Sequence, residues 1–237
     1  MVGAAAGVSL LGAAVLHAGP ALSAVGPLRR RLLPALAGLG DAAHVALTFD
    51  DGPDPASTPM FLDALADLRW RATFFMLGDM ARRCPSLAAE VAAAGHEVAL
   101  HGDGHRSHLW RTPRSVADDV RRGLDSVAQA TGAVPVWWRP PYGVITSSGL
   151  RASHQAGLRP VLWTTWGRDW RTEATPDTVM ADVETDLVPG ATVLLHDSDC
   201  TSAPGAWRAG LLALPRLAES FSRLGCEVGP LAEHGLD

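Results

Sequence analysis

The sequence predicts an α/β fold built on a parallel sheet, and three observations carry that prediction. From Ala43 onward, short β-prone apolar runs alternate with longer helical patterns, which is the signature of repeated βα units. Six such units follow one another over about 200 residues without a low-complexity linker or internal repeat, which suits an open doubly wound sheet or a (β/α) barrel. The conspicuous polar residues Asp50, Asp51, His101, Arg139, Asp169 and His196 fall at or just beyond the ends of apolar runs. Parallel α/β folds collect their active sites at that end of the strands.

The expected strands are 44–49 (HVALTF), 72–77 (ATFFML), 96–101 (HEVALH), 134–138 (VPVWW), 160–165 (PVLWTT) and 191–196 (ATVLLH). Helices are expected near 57–69, 85–94, 113–131, 147–156, 175–188 and 207–224. Their starts are well punctuated. Cys84-Pro85, Thr112-Pro113 and Thr175-Pro176 each put proline in a first helical turn, and Thr112 and Thr175 are suited to cap the free amides.

Residues 1–28 contain no charged side chain and are followed at once by Arg29, Arg30 and Arg31. The domain reading is therefore an apolar N-terminal segment, 1–40, as an anchor or a packed helix, followed by one domain over 41–237. The basic n-region of a signal peptide is missing, and the apolar run before His17 and Pro20 is short for a span of about 20 residues. Membrane association through this segment is one expectation, and a packed helix is the other.

Composition excludes several function classes. The 237 residues are 47% apolar, enough for one sizeable core. A net charge of -5 offers no attraction for nucleic acid, so no nucleic-acid partner is expected. All 20 basic residues are arginines, which rules out a Schiff-base or P-loop lysine. The three cysteines at 84, 200 and 226 have no metal-site spacing and read as small apolar fillers.

Five segments carry chemistry. Thr48-Phe49-Asp50-Asp51-Gly52-Pro53 sets two carboxylates side by side at a strand end, where they repel unless a cation lies near. Asp, Gly and Pro also make ordinary turns, so the pair gains its weight from partners. His101-Gly102-Asp103-Gly104-His105 supplies two imidazoles four residues apart, which with one Asp make a three-ligand set that leaves a position for water. Arg139-Pro140-Pro141-Tyr142-Gly143 is stiffened by its prolines, so its guanidinium is suited to pin a carboxylate and its amides to face an oxyanion. Asp169-Trp170 and His196-Asp197 bring a carboxylate and an imidazole to strand ends, a pair suited to proton donation near neutral pH. Trp163, Trp166 and Trp170 cluster nearby, and aromatic faces suit sugar rings as well as core packing.

The motifs TFDDGP, HGDGH, RPPYG, WGRDW and VLLHD stand in an order and spacing that resembles the polysaccharide deacetylase family, carbohydrate esterase family 4, over roughly residues 43–232. The resemblance implies a distorted (β/α) barrel of about seven parallel strands. It implies hydrolysis of an N-acetyl group from an amino sugar of a poly- or oligosaccharide, and no covalent intermediate. By motif position, Asp50 is implied as base, Asp51, His101 and His105 as metal ligands and His196 as acid. Arg139 would orient Asp50, Asp169 would orient His196, and the Tyr142 amide would stabilise the oxyanion. Pro141, Tyr142, Trp170 and Leu194 are the implied substrate contacts. Zn2+ is the expected ion, with Co2+, Ni2+ or Mn2+ as substitutes. The substrate class implies action outside the cytoplasm or at a membrane.

Two positions depart from the family's pattern. Gly102 stands where Ser or Thr is usual, with Asp103 as a candidate substitute brace, and Trp166 stands where Asp is usual. On these rests the competing expectation of a catalytically weakened carbohydrate-binding protein. Cleavage of an O-acetyl ester or an N-formyl group is the other alternative. A phosphohydrolase with an aspartyl nucleophile fits less well, because Gly52 stands where a second Asp would be needed.

Overall fold

The computed structural model describes residues 17–236. Eight strands form one all-parallel sheet: β1 (His44–Asp50), β2 (Thr73–Met76), β3 (Glu97–Leu100), β4 (Trp137–Trp138), β5 (Arg159–Pro160), β6 (Thr165–Trp166), β7 (Thr192–His196) and β8 (Glu227–Gly229). The hydrogen-bonded order is β5-β4-β3-β2-β1-β7-β6, with β8 added on β1. The two ends of that path, β5 and β6, belong to one chain segment. Its start pairs with β4 (Trp138 with Pro160) and its end with β7 (Thr165 with Val193). The sheet thereby curls round on itself as a distorted barrel, as expected.

β1 lies at the centre and is buried along its whole length, which explains why HVALTF reads as a continuous apolar run. Phe49 and Phe74 from the sheet meet Phe61 and Trp207 from the helices in the main core. The covering helices are α1 (Gly26–Leu32), α2 (Thr58–Leu68), α3 (Gly78–Arg83), α4 (Pro85–Ala93), α5 (Pro113–Thr131), α6 (Ser147–Gln155), α7 (Pro176–Asp186) and α8 (Trp207–Arg223). Thr112 and Thr175 accept hydrogen bonds from the amides of Ser115 and Thr178, so both expected caps form.

Two expected elements differ, and two others appear that were not expected. The strand at 134–138 is reduced to its two tryptophans, because Val134 and Val136 are exposed rather than packed. The strand at 160–165 breaks into β5 and β6, because the segment changes partners where the barrel closes. The helix α3 and the strand β8 were not expected, both being too short to show a period.

The N-terminal expectation falls partly on residues 1–16, which lie outside the described residues. From Gly19 the chain forms a short 3-10 turn and α1, and it packs on the barrel. The Leu162 amide donates to the carbonyl of Leu36, and Thr164 and Thr192 donate their hydroxyls to Ala37 and Gly38. Residues 36–38 thus fill the gap left between β5 and β6. Arg29 is buried and donates to the carbonyls of Ser23 and Trp163. None of the described helices is long and apolar enough to cross a membrane.

A buried histidine pair joins the same segment to the rest. His234 Nε2 donates to the Gly38 carbonyl at 3.0 Å, which leaves its Nδ1 to accept from His44 Nδ1 at 2.8 Å. The arrangement requires a neutral His234 ring, whose Nδ1 lone pair is the acceptor. Burial lowers the His44 pKa and, with the neighbouring ring, brings His234 down to about 4. Burial also brings His96 down to about 4. Stability is therefore full above the ordinary histidine pKa of about 6.5 and falls as pH drops toward 4, because the unfolded chain takes up protons that the folded chain resists. Urea titrations at pH 7.5 and 4.5 should show a loss of roughly 3 kcal/mol from His234 alone; equal midpoints would contradict this assignment.

Candidate active site

Every expected polar residue lies at the carboxyl end of the sheet, and the loops there converge on one cavity of about 230 Å3. Asp50, Asp51, His101, His105, Tyr142, Trp170, Leu194 and His196 all line it. Arg139 and Asp169 stand directly behind, each fully buried. Pro141 is buried within its turn and is not part of the lining.

Asp50 ends β1. Its Oδ1 accepts from Arg139 Nη1 at 2.7 Å, leaving Oδ2 3.7 Å from His101 Nε2. Arg139 is fixed by further donation to Thr48 Oγ1 and the Leu162 carbonyl and by the Phe75 ring 3.9 Å from its guanidinium carbon. Such a bracket leaves the carboxylate little rotational freedom.

Asp51 follows with φ at 83°, a left-handed conformation that turns its side chain toward the two histidines. Its Oδ1 lies 3.4 Å from His101 Nε2 and 3.5 Å from His105 Nε2, is buried, and receives no hydrogen bond. Oδ2 accepts from the Thr201 hydroxyl at 2.9 Å. His101 Nδ1 donates to the Arg139 carbonyl at 2.9 Å, so the lone pair of Nε2 faces Asp51. One carboxylate oxygen and two imidazole nitrogens thus lie within 4.8 Å of one another with no proton shared well between them. This donor set fits a divalent cation. Burial opposes charge on Asp51 and on His101, yet contact with His101 holds Asp51 well below the usual carboxylate range, while Asp50 and Asp51 raise His101. The field that raises His101 also attracts a cation. His105, lowered to about 4 mainly by burial, is in its neutral, ligating form near pH 7.

Gly102 and Asp103 explain how the histidine loop is held. Gly102 has φ at 98°, and a Cβ there would come within 2.9 Å of Asp119 Oδ2. The loop lies directly on α5, where a Cβ at Gly123 would meet the Gly102 backbone at 2.7 Å. A side chain at 102 would have to displace the Asp119 carboxylate, and the bracing falls to Asp103. Its amide donates to Asp119 Oδ2, and its carboxylate is paired with Arg82 and Arg122.

His196 ends β7. Asp169 accepts both from its Nδ1 and from its backbone amide, each at 2.8 Å, so Nε2 is the nitrogen left to the cavity. Burial opposes the charged ring, but Asp169, aided by Asp51 and Asp50, pushes its pKa up to about 9. A close approach makes this possible: a Cβ at Gly210 of α8 would lie 2.7 Å from Asp169 Oδ2.

Three indoles form one wall. Ring centroids of Trp163 and Trp166 are 5.2 Å apart, those of Trp166 and Trp170 4.7 Å, and Trp170 meets His196 edge-on. Trp166 therefore replaces an acid with an aromatic surface. Tyr142 has φ at 62°, is 58% exposed and packs edge-on against His105.

Sequence reasoning missed two residues here. Thr201 sits in an irregular loop and carries no motif. Asp197 was noted only as a neighbour of His196. Its carboxylate accepts from the Gly52 amide and the Thr58 hydroxyl, and burial raises its pKa to about 7, so it ties the Asp50-Asp51 turn to α2.

A parallel barrel with a cation-binding donor set, a bracketed carboxylate and a carboxylate-held imidazole at its strand ends defines a hydrolase class. The chain belongs to the polysaccharide deacetylase family, whose signature matches residues 38–161. Among its relatives, a chitooligosaccharide deacetylase from Bradyrhizobium sp. (strain ANU 289) is 37% identical over 197 residues, covering 80% of this chain and 89% of that protein. A peptidoglycan-N-acetylglucosamine deacetylase from Bacillus cereus is 35% identical over 155 residues, covering 65% and 72%. Among solved structures, a family 4 carbohydrate esterase from Streptomyces lividans in complex with acetate superposes with a TM-score of 0.70 at 31% identity, covering 79% of this chain and 92% of that one. The family is generally metal-dependent, and Asp51, His101 and His105 form a candidate metal-binding triad in this chain.

Proposed function

We propose that the protein removes N-acetyl groups from N-acetylglucosamine units of a poly- or oligosaccharide, with Zn2+ as the ion. The observation that carries this reading is the joint presence, in one cavity, of the Asp51-His101-His105 set, the Asp50 carboxylate and the His196 imidazole. Names of the relatives support the substrate class.

Asp51 Oδ1, His101 Nε2 and His105 Nε2 would hold the ion. When bound, it polarises the acyl carbonyl and makes water more acidic. Asp50, aimed by Arg139, accepts a proton from the attacking water at Oδ2. The Tyr142 amide faces the oxygen on which negative charge develops. His196, protonated at neutral pH because Asp169 supports its charge, gives its Nε2 proton to the departing amine as the amide C-N bond breaks. Acetate and a free amino sugar are the products. The tryptophan wall and Leu194 supply the apolar surface for the sugar ring and the acetyl methyl. The catalytic domain of this reading is 41–237, with 17–40 completing its wall.

Mass spectrometry of products from chitooligosaccharides, peptidoglycan fragments and acetylxylan tests the assignment. Stepwise loss of acetyl from the N-acetylated glycans is expected, abolished by a chelator and restored by Zn2+. Glycan binding without acetate release, with the metal site filled, would refute it.

A further inference from the structure

The catalytic cavity adjoins a second hollow of about 460 Å3, and His105 and Thr201 contribute to the walls of both. The second hollow is polar and basic in a chain whose net charge is -5. Arg82, Arg83, Arg106, Arg111 and Arg122 line it against Asp79, Asp103 and Asp119.

The pairing leaves positive charge uncompensated. Asp119 is engaged by Arg111 at 2.6 Å and by His108. Asp79 pairs with Arg83 at 3.3 Å. Asp103 alone serves two guanidiniums, Arg82 at 2.5 Å and Arg122 at 3.2 Å. Arg106 is exposed and, among the described residues, its guanidinium has no partner. Surplus guanidinium charge suits a sugar that bears an anionic group.

We infer that this hollow is a subsite for a carboxylate carried by a sugar next to the N-acetylated unit, which makes an acidic glycan the preferred substrate. Arg106 and Arg122 meet the carboxylate. The inference rests on the deacetylase reading, whose substrate it specifies. It also extends the role of Asp103, which holds the histidine loop on one side and Arg82 and Arg122 of the hollow on the other.

Binding to the Asp50→Asn variant, measured by calorimetry, tests the inference without needing turnover. Wild type kept in chelator serves as the parallel protein, so misfolding of the variant does not decide the outcome. The ligands are a neutral N-acetylglucosamine tetramer, an alternating tetramer in which every second sugar carries a lactyl ether carboxylate, the methyl ester of that tetramer, and an N-acetylglucosamine–glucuronate tetramer. One of the two carboxylated ligands should bind about tenfold more tightly than the neutral tetramer, as a charge-assisted contact provides, and the one that does so identifies the source of the carboxylate. For the lactyl ligand the advantage should vanish on esterification. In either case it should shrink at high ionic strength and fall to about one in Arg106→Gln. Equal binding of acidic and neutral ligands, or an advantage unchanged in Arg106→Gln, would overturn the subsite. Failure of wild type to release acetate from any ligand would instead overturn the deacetylase reading.

Discussion

Asp50→Asn should lower kcat by about three orders of magnitude, in the upper part of the range for loss of a general base, with bound metal unchanged. Asparagine keeps the shape of the side chain and an oxygen for Arg139, but it has no basic oxygen for the proton of the attacking water. Because Arg139 is fully buried and its pKa is already lowered by that burial, removing the charge that faces it also costs stability, up to about 3–5 kcal/mol for a broken buried pair. Metal content by atomic absorption and a thermal melt, measured beside kcat, separate the two effects. Activity within tenfold of wild type would remove Asp50 from the role of base.

The second large effect is expected from Asp169→Asn, with kcat falling about a hundredfold or more. Asp169 raises the His196 pKa to about 9, so the imidazole stays a proton donor through neutral pH. The sign follows directly. A raised pKa keeps the acid form present until pH rises through it, and loss of the carboxylate moves the alkaline limb of the kcat profile downward. The variant should therefore lose proportionally more activity at pH 8.5 than at pH 6.5. A uniform loss at all pH values would mean that Asp169 only positions the ring.

Much of this was legible in the sequence because strand ends in a parallel sheet are few and face one way. TFDDGP, HGDGH and VLLHD each mark the point where a buried run meets polar residues, and that point is where the cavity opens. The tryptophan wall was legible as a cluster but not as a wall, since its stacking depends on how 159–166 crosses from β4 to β7. Thr201 and the arginine subsite were not legible. Their members, spread from Arg82 to Thr201, come from separate helices and loops and share no period. The same holds for residues 36–38, whose pairing with Leu162 spans more than a hundred positions and leaves no local trace.

That last pairing bears on how the chain can be cut or grafted. The family signature begins at residue 38, yet a fragment started there would strip Leu36 from the Leu162 amide and Arg29 from the Trp163 carbonyl. The lost contacts stand directly behind the indole that the sugar would touch. A transplanted or fused catalytic unit therefore needs its junction before Gly19, and any pull on the chain upstream of α1 is transmitted to the floor of the cleft.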